Sequence, residues 1–229
     1  MTDTLIITGA AGNLGMTLTQ KLLEKKYKVH ALISPDGDDA FLTHQNLNTH
    51  KVDLLNPHTC NGLIQKLAET ETVGALICLV GAFTVGTIEN TEISSIQKMI
   101  DLNFTTLYNV VRPVIKQYSK NKKPFQIIMI GSRPALMPED GKKMIAYSLS
   151  KSLVFRMAEF INEDCEEHGV RASIIVPSTI DTPDTRKAIP DANHHDWVTP
   201  VDIAETINFI LSETGLKLRQ PVFKLYNKA

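Results

Sequence analysis

Tyr147 and Lys151 stand four apart in Tyr147-Ser148-Leu149-Ser150-Lys151. On a helix that spacing puts a phenol and an ammonium on one face. A free phenol titrates near ~10 and stays protonated at neutral pH. A neighbouring ammonium favours the phenolate and draws that pKa down toward the working range. Such a phenol can give a proton to a developing alkoxide, or take one from an alcohol. General acid–base work of this kind contributes on the order of 10²–10⁴ in rate. Taken alone, the pair reads equally as a solvated helix face. Ser132, in Ile130-Gly131-Ser132, can hydrogen-bond a substrate oxygen or cap a turn. Asn103, in Asp101-Leu102-Asn103, is a mid-helix amide that either serves the same site or is a buried, hydrogen-bonded core group.

A second chemistry is written near the N-terminus, in Thr8-Gly9-Ala10-Ala11-Gly12-Asn13-Leu14-Gly15. Gly9 allows a tight turn, Gly12 a close backbone approach to a pyrophosphate, and Gly15 close packing of helix on sheet. Beyond Asn13 and Leu14 the helix start offers free N–H groups and a partial positive charge to phosphate. Asp53 can accept from an adenine amino group or cap its own turn; Leu54 follows it. The second strand ends in Ile33-Ser34-Pro35-Asp36, with no Arg or Lys there or in the glycine turn. Ser34 suits either cofactor and Asp36 comes late, so NAD and NADP both stay open.

These residues need a scaffold, and the apolar pattern supplies one. Strands are expected at Leu5–Thr8, Val29–Ile33, Lys51–Val52, Ala75–Val80, Gln126–Ile130, Ala172–Val176 and Val222–Leu225. Helical patterns lie between them. Asn56-Pro57 opens one that runs to about Glu71, another covers Ile93–Tyr118 with a kink expected at Pro113, and a third covers Ala146–His168. A fourth, capped by Thr199-Pro200, runs through about Ser212. Alternating strands and helices predict an α/β fold: a Rossmann-type, three-layer, doubly wound parallel sheet of about seven strands. In such a sheet ligands meet the carboxyl ends of the strands, where Ser132, Tyr147 and the glycine turn all fall. An eight-stranded barrel would need one more strand than the pattern contains. With no linker or repeat, residues 1–229 are read as a single NAD(P)-binding domain.

Lys plus Arg number 24 against 25 Asp plus Glu, a net charge of −1. That excludes a chain-wide basic field for nucleic acid or acidic membrane. Cys60, Cys78 and Cys165 are widely spaced, which argues against disulfides and zinc. His194-His195 reads as a solvated pair, and no metal is expected. No signal peptide or spanning segment is visible, so a cytoplasmic location is expected. Phe83, Met144, Ile189 and Trp197 lie where a pocket or lid would form, with core packing equally open.

The ordered set resembles the short-chain dehydrogenase/reductase family over nearly the whole chain. It comprises the Thr8–Gly15 turn, Val52-Asp53-Leu54, Asn103, Ser132, Tyr147 with Lys151, and Val176-Pro177-Ser178-Thr179-Ile180-Asp181-Thr182. The resemblance implies that Tyr147 is the acid–base and that Lys151 binds the nicotinamide ribose while lowering the Tyr pKa. Ser132 would polarise the carbonyl and Asn103 would hold a water in a proton relay. Pro177, Thr179, Ile180 and Thr182 would contact the nicotinamide, and Gly81 would line the cofactor. It also implies a small-molecule substrate and a homodimer or homotetramer. Departures are visible. The family's usual Asn-Asn-Ala-Gly reads Cys78-Leu79-Val80-Gly81, Asn13 replaces a small residue, and Ser132 precedes Tyr147 by 15 residues, longer than usual. A narrower resemblance, to dihydropteridine reductases, covers Val176–Pro183, Arg186–Ala192 and Trp197. The reading is therefore an NAD(P)-dependent oxidoreductase acting on a carbonyl, an alcohol or a pteridine-like ring. A non-catalytic NAD(P)-binding sensor and an NAD-dependent epimerase or dehydratase are its rivals.

Overall fold

The computed structural model describes residues 4–38, 40–121 and 123–228. Its frame is one sheet. β1 (Thr4–Thr8) leads through α1 (Asn13–Glu24) to β2 (Lys28–Ile33) and β3 (Leu47–Lys51). α2 (Pro57–Thr70) returns the chain to β4 (Ala75–Cys78). α3 (Ile93–Ile100), a π-helical turn (Asp101–Thr105) and α4 (Thr106–Tyr118) precede β5 (Phe125–Ile130). Two single-turn helices, α5 (Arg133–Leu136) and α6 (Pro138–Gly141), lead into the long α7 (Ile145–Asp164). β6 (Val170–Pro177), α8 (Pro183–Ala188), α9 (Pro200–Ile210) and β7 (Val222–Leu225) complete it. The order is β3-β2-β1-β4-β5-β6-β7, and every neighbouring pair is parallel.

Parallel strands are covered on both faces, which is why the Leu5-Ile6-Ile7 centre of β1 and the whole of β4 are apolar and both strands are buried throughout. One core lies under α2, α4 and α7, and holds Ile64, Val110 and Val154. The other lies under α1 and α9, with Leu18, Leu22 and Ile207. Local signals set the helix starts. Asn56 Oδ1 accepts from His58 N and Thr59 N. Thr199 and Asp202 form a reciprocal capping box. The order reverses between β1 and β4, which opens a crevice at their carboxyl ends. There Thr8 Oγ1 accepts from Leu79 N at 3.2 Å and ties the two strand ends together.

Three expectations shift. The third strand is Leu47–Lys51, not Lys51–Val52. It is a polar, half-exposed edge (Leu-Asn-Thr-His-Lys) without the apolar run that flags a buried strand. The irregularity in the Ile93–Tyr118 helix falls at Asp101–Thr105, while α4 runs regularly through the buried Pro113. The third helical pattern stops at Asp164, and Glu166–His168 forms a separate 3₁₀ turn before Gly169. Among the described residues no helix is long and apolar enough to cross a membrane.

Candidate active site

The glycine turn is built by backbone demands. Gly9 has φ +68°, a left-handed conformation that glycine adopts without strain. Gly12 N donates to Gly9 O at 3.1 Å. A Cβ on Gly15 would stand 2.1 Å from Gly9 O, so only glycine lets α1 start this close to β1. α1 therefore points its free N–H groups across the crevice, with no side-chain cap at Gly12. Asn13, its first residue, donates from Nδ2 to Asp184 Oδ2 at 2.6 Å.

Along the same edge, Ser34 is exposed just past β2. Asp53 Oδ1 accepts from Leu55 N at 2.9 Å, closing a turn of its own. Leu54 faces inward: its side chain is in the core and its carbonyl accepts from Asn109 Nδ2 at 2.9 Å. Pro177 ends β6. Thr179 and Ile180 are held by backbone pairing to Val198, and Thr182 Oγ1 caps α8 by accepting from Thr185 N.

Asn103 sits in the π-helical turn with no exposed surface. Its Oδ1 accepts from Ala82 N at 2.8 Å, and its Nδ2 donates to Ala82 O at 3.0 Å and Ser150 Oγ at 2.9 Å. The side chain thereby holds the segment after β4. It fixes Gly81, where a Cβ would lie 2.7 Å from Asn103 Oδ1 and 3.3 Å from Lys151 Nζ. The same segment is pinned farther on, where Gly86 N donates to Lys143 O and Ile145 N to Gly86 O. Between these anchors Phe83 lies edge-on to the Tyr147 ring, centroids 5.0 Å apart, and is 60% exposed.

Lys151 is buried, and its Nζ donates to Ile130 O at 2.9 Å. Burial pulls its pKa down to about 8, against a smaller opposing influence of Cys78. Tyr147 departs from expectation. Burial raises its phenol above the usual value, and the Ser132 hydroxyl only partly offsets this. The lowering expected from Lys151 is absent because that amine, with its pKa near 8, has already lost its charge where the phenol titrates. Ser132 is 4% exposed, and its Oγ makes no hydrogen bond with any described residue by distance and angle. It nonetheless lies near enough to the phenol to affect its titration. The longer Ser132–Tyr147 interval is taken up by α5 and α6, which fold back on the start of α7.

Of the four aromatic and aliphatic pocket candidates, Phe83 and Ile189 are exposed, Met144 is half-buried, and Trp197 is buried against His194. Ala82, Ser150 and Asp184 were not foreseen. Only Ser150 had a local signal, since it lies three residues after Tyr147 on the same helix.

A family model described as short chain dehydrogenase matches residues 3–193. The chain belongs to the short-chain dehydrogenase family. Among its relatives in that family is an acetoacetyl-CoA reductase from an Acinetobacter species, 23% identical over 92% of this chain and 90% of its own. Another is a dihydropteridine reductase from Dictyostelium discoideum, 23% identical over 90% of this chain and 87% of its own. The solved structure of ElxO with NADP bound matches with a TM-score of 0.88 at 19% identity, over 98% of this chain and 97% of that one. The short-chain dehydrogenase fold and oxidoreductase class are thus this chain's own.

Proposed function

We propose that this short-chain dehydrogenase is an NAD(P)H-dependent reductase in which Tyr147 donates the proton. The carrying observation is the state of Tyr147: half-buried, raised in pKa, and faced by a Ser132 hydroxyl that has no hydrogen-bond partner among the described residues. A phenol that stays protonated at neutral pH is an acid in waiting, which suits reduction better than oxidation. A substrate oxygen set between Tyr147 and Ser132 would give Ser132 the partner it lacks and receive the proton from Tyr147.

The residues present fit a dinucleotide. The Gly9–Gly15 turn and the first N–H groups of α1 would hold its pyrophosphate, and Ser34 and Asp53 lie toward its adenosine end. Gly81, kept bare by Asn103 and Lys151, leaves room at the nicotinamide end. When bound, the nicotinamide supplies the hydride. Lys151, charged below pH about 8, would hold the ribose and support the Tyr147 proton. Thr179, Ile180 and Thr182 would close over this end. The substrate class is a small carbonyl compound or a flat reducible ring of the pterin kind, and Phe83 against Tyr147 favours the flat ring. A homodimer or homotetramer of single-domain chains is part of the same reading.

The test is Tyr147→Phe. NADH and NADPH affinity should hold, while reductive turnover across carbonyl compounds and quinonoid dihydropterin falls by about 10²–10⁴. Turnover retained by Tyr147→Phe would remove Tyr147 from the chemistry. An absence of turnover on the whole panel would favour a non-catalytic binding protein.

A further inference from the structure

We propose that Pro134 is a positioning residue for Ser132: by withholding a backbone N–H from the first turn of α5, it keeps the Ser132 hydroxyl uncapped and available to the substrate oxygen. This rests on the role given to Ser132 above. Ser132 stands at the N-cap of α5, Arg133 is the first helical residue, and Pro134 and Ala135 follow. A serine at an N-cap ordinarily turns its Oγ onto the N–H of the second or third helical residue. At α5 neither is on offer. Pro134, in the second place, has no N–H. Ala135, in the third, donates its own to Ser132 O at 3.3 Å. Ser132 accordingly makes no cap bond, and its Oγ is left buried with no partner among the described residues.

Asn56, Thr182 and Thr199 also open helices ahead of a proline, and in each case the proline is the first helical residue. Asn56 before Pro57 accepts from His58 N and Thr59 N, Thr182 before Pro183 from Thr185 N, and Thr199 before Pro200 from Asp202 N. At α5 the proline is displaced by one residue, and the cap bond is missing. The displacement works against the helix, since the residue before a proline is disfavoured in the helical conformation, and Arg133 holds that place. Arg133 is anchored through its side chain. Its Nε pairs with Asp140 Oδ2 at 3.0 Å, and its guanidinium lies over the Tyr226 ring, 5.5 Å from the centroid. α5 is thus held in place without the Ser132 hydroxyl, which remains for Tyr147 and the substrate oxygen. Pro134 itself gives no atom to the reaction.

Pro134→Ala tests this, because it restores the N–H with a good helix former at a half-buried place. It is made in the full wild-type chain and in Ser132→Ala, and each variant is compared with its parent for turnover, NADH affinity and melting temperature. With Ser132 present, the restored N–H should capture the hydroxyl as a cap. Reductive turnover should then fall about three- to tenfold with NADH affinity unchanged. In the Ser132→Ala background the same substitution should leave the residual rate as it was. Stability should move the other way: the melting shift caused by Pro134→Ala should be about 2–4 °C more favourable with Ser132 present than without it. A proline that merely shapes its loop would act equally in both backgrounds, and equal effects overturn the proposal. If Ser132→Ala keeps wild-type turnover, or the wild type turns over nothing on the panel, the Ser132 reading fails and this proposal with it. If Ser132→Ala loses turnover and Pro134→Ala does not, this proposal alone fails.

Discussion

Asn103→Ala asks whether one buried amide holds the floor of the site. The side chain has no exposed surface and hydrogen-bonds twice to the backbone of Ala82 and once to Ser150 Oγ, with a longer contact to Met99 Sδ at 4.0 Å. Ser150 keeps a partner after truncation, since its Oγ also donates to Tyr147 O at 2.7 Å. The loss therefore falls on Ala82, whose N–H and C=O are both orphaned. Stranding a buried polar group costs about 1–3 kcal/mol, and Ala82 is only half-buried, so the pair is worth roughly 2–4 kcal/mol. For a domain of this size ~1 kcal/mol moves the melting temperature by about 2–4 °C, so a drop of about 4–16 °C is expected. The local effect should be larger than the global one. With Ala82 released, Gly81 and Phe83 lose their fixed positions beside Lys151 and Tyr147. NADH affinity and turnover should both fall at temperatures well below the melt. Calorimetry and an NADH titration at 15–20 °C below the variant's midpoint, roughly where it is fully folded, separate the two effects. A melting temperature within about 2 °C of wild type would refute the claim that Asn103 anchors this segment.

Ser132→Ala removes a buried hydroxyl that has no partner among the described residues, so stability should hold or rise by about 1 kcal/mol in urea titration while reductive turnover falls. A parallel loss of both would show that Ser132 is structural. Gly15→Ala drives a methyl to 2.1 Å from Gly9 O and should cost roughly 3 kcal/mol with loss of NADH binding; a stable variant with wild-type affinity would disprove the close approach. His30, 4% exposed on β2 and 3.0 Å from His50, has its pKa lowered to about 4, chiefly by burial. A lowered folded pKa means the stability is present above about pH 6.5 and is lost toward pH 4, about 3 kcal/mol by that point. His30→Leu should flatten that acid limb in chemical denaturation, and an unchanged limb would assign it to other groups. Lys151, with its pKa near 8, is charged below that value, so reductive activity should decline as pH rises through it. Lys151→Arg should move the decline to higher pH, and an identical profile would place it elsewhere.

What could be read without coordinates was whatever is decided within a turn or two of chain. The glycine turn, the Asn56 and Thr199 caps and the buried runs of β1 and β4 are of that kind, because each is dictated by local sterics, local hydrogen bonds or burial on both faces. Their order was enough to imply one parallel sheet with the Ser, Tyr and Lys near one edge. The misreadings begin where tertiary contacts decide. β3 is strand only because β2 offers it a ladder, since its own residues are polar and half-exposed. The π-helical turn lies in a stretch whose pattern is ordinary helix, and it seats Asn103 against Ala82 from 21 positions away. The upward direction of the Tyr147 shift has the same origin. Spacing reports that a lysine is near, but only packing reports that Lys151 is buried and bonded to Ile130 O. Asp184 is the extreme case, an exposed carboxylate that the fold carries to Asn13 from 171 positions away. The local signals thus place the chemistry on one edge of the sheet, while the contacts that tune it — Asn103 on Ala82, Ser132 toward Tyr147, Asp184 on Asn13 — join segments far apart in sequence or through packing alone. Specificity in this protein should therefore respond most to substitutions at those long-range contacts, where the scaffold signals are silent.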